Sequence, residues 1–337
     1  MSCSHKCFAL LLIYLIVALP CSALAEADKS GWPVQLRFMS GPQGGNWFTL
    51  GTVMADTWSK EVLRANAVAG GGMANITGIE SRKGDMGFAV ASFLGAALAG
   101  EEDFRGAKVN NVVIMANLYK QVTYFIVAKD FAESRNIRTT GDLIKQDKVR
   151  FASLKPGTAS EFAVKALFAM GYGTSPGELK SEKQWSLEYL TYEGGADAIA
   201  NGDIDCFAFS VGSAASIVSS IESKVNIHIL SVEETALQAV AAAYGTTAHT
   251  IAPGTYASVR QPVTTLGDYT CIVIRKDLPE SLVFELNKSL WSNKAHLVET
   301  VRDMAEFSPA TALPEGVPCH PGSTRFWNGL TDTRDKK

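Results

Sequence analysis

The chain has 337 residues, a formal net charge of −3 and 47 % hydrophobic residues. No basic stripe runs through it, so nothing points to nucleic acid, and its apolar content is that of an ordinary globular protein. The length is ample for two lobes with their own cores.

The amino terminus carries a weakly basic start (His5, Lys6), an apolar run over 8–19 and the small-x-small triplet Ala23-Leu24-Ala25. Residues 1–25 therefore read as a cleavable signal peptide, with the mature chain starting near Glu26. The run is too short for a comfortable membrane span. Pro20 stands where a lipobox before Cys21 wants a small residue. The expectation is a soluble exported protein, with a lipid-tethered one as the alternative. Of six cysteines, Cys206, Cys271 and Cys319 remain after cleavage. An odd number makes no disulfide framework, and Cys206 and Cys271 sit in runs that look like buried strands, although one pair can close in an oxidising compartment.

In chain order, the alternating run 34–38 predicts a strand, and Gly41-Pro42-Gln43-Gly44-Gly45-Asn46-Trp47 a tight turn. Trp47, Leu50, Met54, Trp58 and Val62 recur at helical spacing and predict a helix over 47–64. A second glycine turn, 69–75, leads to a short helix. Residues 84–92 read as a turn and a buried strand ending at Ser92, and 111–116 as another strand. Residues 122–128 run extended into a charged loop. A second α/β unit follows: a short helix from Thr140, a strand over 149–154, the turn Lys155-Pro156-Gly157-Thr158-Ala159-Ser160-Glu161 and a helix over 159–170. A strand at 187–191, a helix from Gly194 to near Gly202, a strand at 203–209, a helix at 213–222 and a strand at 226–231 come next. Residues 270–275 are extended again, helices at 279–291 and 294–306 follow, and the proline- and glycine-rich tail after Phe307 is expected to wrap the surface.

This order predicts an α/β protein of two lobes joined by two crossing strands. Lobe I takes 30–122 plus 272–330 and lobe II takes 123–271. Each lobe carries one strand–glycine turn–helix unit. Glycine lets backbone approach a ligand, and the helix start that follows offers free N–H groups and the positive dipole end, which suit a carboxylate or phosphate. Ordinary βα loops use glycine as well, and the motif alone is weak.

Taken together these residues resemble the extracytoplasmic solute receptors of TRAP transporters, in the TAXI branch. Gly44-Gly45-Asn46-Trp47-Phe48-Thr49 stands for that family's Gly-Gly-Thr-Tyr-Tyr-Pro turn, and Gly71-Gly72-Met73-Ala74-Asn75 loosely for its Gly-Gly-Ser-x-x-Asn turn. Gly84-Asp85-Met86-Gly87 matches Gly-x-x-Asp-x-Ala with one residue missing. Leu118-Tyr119-Lys120-Gln121 stands for Leu-Tyr-Pro-Glu. Pro156-Gly157-Thr158-Ala159-Ser160-Glu161 matches Pro-Gly-Ser-Gly-Thr-Glu. Gly212-Ser213-Ala214-Ala215, Ile251-Ala252-Pro253-Gly254-Thr255-Tyr256 and His320-Pro321-Gly322 complete a collinear set across nearly the whole mature chain. The departures fall mainly in the ligand loops: Asn46, Trp47, Thr158-Ala159-Ser160, and Val90-Ala91-Ser92 in place of a Gln-Ser-Asp-like segment.

The resemblance implies a type II periplasmic-binding-protein fold with a ligand cleft between lobes, a binding protein and not an enzyme, and no metal or cofactor. It also implies a monomer that takes a small carboxylate or amino-acid-like ligand and delivers it to TRAP membrane subunits. A ligand carboxylate would sit on the N–H groups near Thr158, Ala159 and Ser160, although Thr158 and Ser160 can equally cap the helix. Gly44, Gly45 and Asn46 would meet the ligand from the other lobe. Trp47 either walls the pocket or fills the apolar stripe of its helix. Tyr119 stands near the hinge and is open to a core role. Ser92, and Ser210 and Ser213 in lobe II, occupy strand ends where α/β sheets bind ligands. Asn75 contacts ligand or caps the next helix. A ligand sensor for a membrane kinase and the receptor of an ATP-driven importer share this reading. An exported hydrolase is the remote alternative, because Ala208-Phe209-Ser210-Val211-Gly212 approaches a nucleophile elbow but has Ala208 where glycine belongs.

Overall fold

The computed structural model describes residues 28–332, except Pro42, Gly44, Glu102, Asp103, Ala214, Glu315 and the side chain of Asp332. The expected signal peptide and Gly44 lie outside the described residues.

The first half runs β1 (Leu36–Met39), α1 (Asn46–Glu61), β2 (Ala65–Val68), α2 (Gly72–Glu80), β3 (Met86–Val90) and α3 (Ala91–Ala99). A long strand follows, β4 (Val112–Ala128), then α4 (Lys129–Ser134), α5 (Thr140–Ile144), β5 (Arg150–Ser153), α6 (Ala159–Ala166), α7 (Pro176–Lys183), β6 (Ser186–Tyr189) and α8 (Tyr192–Asn201). Next come β7 (Cys206–Gly212), α9 (Ser216–Lys224), β8 (Ile227–Ile229), α10 (Glu234–Tyr244), β9 (Thr247–Ile251), β10 (Val263–Arg275), α11 (Glu280–Ser292), α12 (Lys294–Thr300) and α13 (Pro321–Asp332).

Among the described residues the strands form one mixed sheet in the order β2-β1-β3-β10-β4-β7-β5-β6, with β8 on β4 and β9 on β10. Parallel strands fill the two outer parts, β2-β1-β3 and β7-β5-β6. The long strands β4 and β10 pair antiparallel through the middle, from Gly267 opposite Val122 to Arg275 opposite Val112. Each outer part is thus an α/β layer, and β4 and β10 are the chain segments that pass from one to the other.

Periodicity places the core. Leu36 and Phe38 are fully buried while Arg37 between them is exposed, as a half-buried strand requires. Trp47, Leu50, Met54 and Trp58 are buried along one stripe of α1. One apolar cluster underlies the first half and continues beneath β5 and α6, and a second lies under β7, α8 and α9. The two aromatic side chains Phe93 on α3 and Phe162 on α6 stack at 4.6 Å and 25°, so the two outer parts touch through packed rings.

Several expectations change. Val34 is 90 % exposed and precedes β1: alternation puts it on the face of Leu36 and Phe38, but pairing with β2 begins only at Leu36 opposite Ala65. Helix α1 stops at Glu61, short of 64. Residues 117–121 do not separate two strands: Leu118, Tyr119 and Gln121 lie inside β4, paired with β10 across register shifts at Thr270/Cys271 and Ile272/Val273. Strand β3 ends at Val90 and Ser92 lies in the first turn of α3, where Phe93, Leu94, Ala96 and Ala97 are buried at helical spacing. Helix α6 ends at Ala166 and continues as a wider turn over Leu167–Gly171. Helix α10 and strand β9 occupy a stretch where no element was expected. The tail does not wrap the surface. Ile114 bridges to Cys319, and α13 buries Trp327 completely in a ring cluster with Trp291 and Phe307. His320, from one of the family-like motifs, starts that helix: its Nδ1 accepts the Gly322 N–H at 3.1 Å and its Nε2 sits 2.9 Å from the Leu278 carbonyl. The first bond makes Nε2 the protonated nitrogen, and burial holds the ring pKa below its usual value. Cys206 and Cys271 are buried in strands, and all three described cysteines are free thiols.

Candidate functional site

A narrow cavity lies between the two outer parts of the sheet, with about 310 Å³ of space between its lining atoms when its open mouth is counted. Val90 and Ser92 contribute from β3 and α3, Gln121 and Thr123 from β4, and Leu266 and Asp268 from β10. Ala159, Phe162, Ala163 and Ala166 of α6 face them, with Ser210 of β7, Val240 of α10 and Thr246. Three of the expected site residues, Ser92, Ala159 and Ser210, therefore meet at one place from opposite sides.

Among the described residues, Asp268 is the one charged side chain on this wall. It stands between Gly267 and Tyr269 in β10 and is half-buried. Its Oδ1 accepts the Tyr269 N–H at 2.7 Å and the Ser92 N–H at 3.4 Å, and its Oδ2 accepts the Ser92 hydroxyl. Every one of these donors is neutral. Burial pushes its pKa up to about 6, against the opposing effect of the Ser92 and Tyr269 hydrogen bonds. Nearby, the Thr246 hydroxyl is buried with no hydrogen-bond partner.

Around Ser210 the polar groups satisfy one another. The Ser160 hydroxyl donates to the Ser210 carbonyl and accepts the Ser210 N–H, both at 2.9 Å. Tyr192 donates to the same carbonyl at 2.9 Å, and the Ser210 and Thr123 hydroxyls pair at 2.8 Å. Ser210 lies inside a strand, not on the sharp strand-to-helix turn a nucleophile elbow needs. Thr158 caps α6: its hydroxyl accepts the Glu161 N–H at 3.2 Å and donates to the Lys155 carbonyl at 2.8 Å. The Glu161 carboxylate stands in the same first turn, 3.4 Å from the Gly157 N–H, so the chain's own anion already occupies this helix start.

Asn75 is fully buried and committed to the backbone. Its Oδ1 accepts the Gly71 N–H at 2.8 Å, and its Nδ2 lies 2.8–3.0 Å from the carbonyls of Met39, Ser40 and Phe88. It fastens the glycine turn to the ends of β1 and β3. The glycine turns that open α2 and α6 meet: the Met73 N–H donates to the Gly157 carbonyl at 3.0 Å. Gly72 has φ +42°, and a Cβ there would collide with that carbonyl.

A second polar group forms beside the cavity. Gly45 starts α1, and the exposed Asn46 amide lies 3.4 Å from the Asp303 carboxylate. The Ser213 hydroxyl donates to Asp303 at 3.3 Å and to Glu306 at 3.1 Å. Trp47 is buried, with its indole N–H on the Thr270 hydroxyl at 3.2 Å and its ring on Phe88 at 5.6 Å. Tyr119 is buried close by; desolvation, then the Asp303 charge, push its phenol pKa up and keep it neutral. Sequence reasoning missed Asp268, Thr246 and Asp303. The signal for Asp268 was a lone carboxylate in a run of β-formers, Val263 to Arg275.

A layered α/β fold with two long shared strands, closed over a cavity that both outer parts line, defines a class: the type II periplasmic binding proteins. The chain belongs to the NMT1-like family, whose model matches residues 38–328. Family and fold are those of periplasmic solute-binding proteins. Among solved structures, MatC from Rhodopseudomonas palustris with bound malate matches at TM-score 0.52 and 14 % identity, over 90 % of this chain and 97 % of that one. The periplasmic binding protein BugD matches at TM-score 0.52 and 12 % identity, over 90 % and 96 %. XAC2383 from Xanthomonas citri, bound to chloride ion, matches at TM-score 0.51 and 10 % identity, over 90 % and 100 %. At these identities the likeness is one of fold. No curated protein sequence matches the chain.

Proposed function

We propose that this chain is a periplasmic solute receptor of the TAXI type, which closes over a small amino-acid-like or carboxylate solute and hands it to TRAP membrane subunits. Residues 30–122 with 272–330 act as lobe I and 123–271 as lobe II, and β4 and β10 bend between them. One observation carries the reading: residues from both outer parts of the sheet line one cavity, and the glycine turn that opens α2 is bonded to the one that opens α6. Closure excludes water and strengthens each polar contact with the solute. Ligand must favour the closed form by its differential affinity, and that form is the one a transporter recognises. No nucleophile–base pair is needed, since the solute leaves unchanged.

Uptake into proteoliposomes tests the assignment. Vesicles carrying TRAP membrane subunits, supplied with the purified mature chain, are expected to accumulate the solute that raises its melting temperature. Binding without uptake in any such pairing, alongside uptake through an ATP-driven importer, overturns the TRAP partner and leaves the receptor.

A further inference from the structure

The polar wall of the cavity is built for one sign of charge. Among the described residues Asp268 is its only charged group, and none of the Lys, Arg or His among them lines the space. A carboxylate offers about four acceptor sites, and three donors reach Asp268: the Tyr269 N–H, the Ser92 N–H and the Ser92 hydroxyl. These bonds fix its orientation and leave acceptor capacity. The Thr246 hydroxyl, buried and without a partner, is a second oxygen on the same wall. The start of α6, the natural place for a ligand anion, carries Glu161 instead.

From this arrangement we infer that the cavity selects a solute bearing an ammonium group, with the Asp268 carboxylate as its counter-charge and the Thr246 hydroxyl as a second acceptor. The inference rests on the receptor reading and names its ligand class. A cation taken out of water needs an opposite charge beside it. A dicarboxylate closed into the same space meets Asp268 as a like charge, with no basic side chain to offset it. The enclosed space is about that of one water, so a solute of few heavy atoms enters as the two sides part. An amino acid fits through its ammonium end, and a small amine lacking a carboxylate fits as well.

Calorimetric titration at pH 7.5 tests this with two probe sets: ethanolamine, putrescine and β-alanine against succinate, malate and pyruvate. Wild-type protein is expected to bind at least one ammonium probe. Asp268→Asn, which keeps the shape and the acceptor for Ser92, is expected to weaken that probe about 30-fold or more. Thr246→Val, which removes only the hydroxyl, is expected to weaken it about fivefold. Unfolding curves of both variants show that they fold. Tight binding of a dicarboxylate by the wild type, unchanged or improved in Asp268→Asn, overturns the inference and leaves the receptor reading standing. An ammonium probe whose affinity ignores Asp268→Asn overturns it too. Binding by neither set removes the ammonium inference and counts against the receptor reading as well.

Discussion

The backbone N–H of Met73 donates to the carbonyl of Gly157 at 3.0 Å. The first residue belongs to the glycine turn that opens α2 and the second to the one that opens α6. This bond is possible because Gly72 holds φ +42° and presents no side chain to the opposing strand of backbone.

Gly72→Val removes that possibility. A β-branched residue resists positive φ at a cost of about 1–2 kcal/mol, and its Cβ strikes Gly157. The variant is expected to fold, to show a larger radius of gyration in small-angle X-ray scattering and to bind solute about tenfold more weakly. An unchanged radius and affinity contradict closure through this contact.

Asn75→Ala separates a structural role from a ligand role. The side chain serves the Gly71 N–H and three carbonyls, all buried or nearly so. Removing it leaves these groups without partners, so urea unfolding of the ligand-free protein is expected to show a loss of roughly 2–4 kcal/mol. A purely ligand-contacting asparagine leaves that curve in place.

Ser160→Ala is expected to lower ligand-free stability by roughly 1–2 kcal/mol, since its hydroxyl bonds both the N–H and the carbonyl of Ser210. Thermal unfolding by circular dichroism checks it. An unaltered melting temperature with lost binding assigns the hydroxyl to ligand instead.

The fold was largely legible because its signals are periodic. The stripe Trp47, Leu50, Met54, Trp58 and the apolar runs of β3, β7 and β10 name their own elements. What stayed hidden had mixed signals. Helix α10 holds five alanines in its eleven residues, with Leu237 and Val240 as its larger buried residues, so its stripe is faint. Residues 117–121 mix Asn, Tyr, Lys and Gln, and only pairing with β10 makes them a strand. The contact between glycine turns joins 69–75 to 155–161, not the 41–47 and 155–161 pair from which the ligand reading started. Serine and threonine side chains read equally as ligand contacts and as caps, and Thr158 and Ser160 are bonded within the chain. Asp268 went unread because its meaning depends on the absence of a basic neighbour, which only the packed structure reveals.

Asp268 gives the protein a pH signature. Its carboxyl is raised from 3.8 to about 6 in the folded chain. Between these values the folded state holds a proton that the unfolded state has released. The group therefore has no effect on stability below about pH 4 and opposes folding increasingly up to about pH 6, with the full cost above. Discounted for its half-open surface, the cost is roughly 1–3 kcal/mol. Among the described residues no other titratable group lines the cavity from β3, α3, β4, α6, α10 or the rest of β10. Asp268→Asn is expected to stabilise the ligand-free protein by that amount at pH 7.5 and to leave it unchanged at pH 4, measured by urea unfolding. A variant less stable at both pH values contradicts the assignment.

The central claim, that this chain captures a small solute between its two sides and releases it unchanged, is tested most directly by a thermal-shift screen. Mature protein is heated against amines, amino acids, dicarboxylates, keto acids and sugar acids, and the bound compound is then identified by mass spectrometry of the denatured protein. The account predicts that one solute class raises the melting temperature in a concentration-dependent way, as binding to the folded state requires, and is recovered intact. No shift from any class with no small molecule released, or recovery of a hydrolysed product, contradicts it.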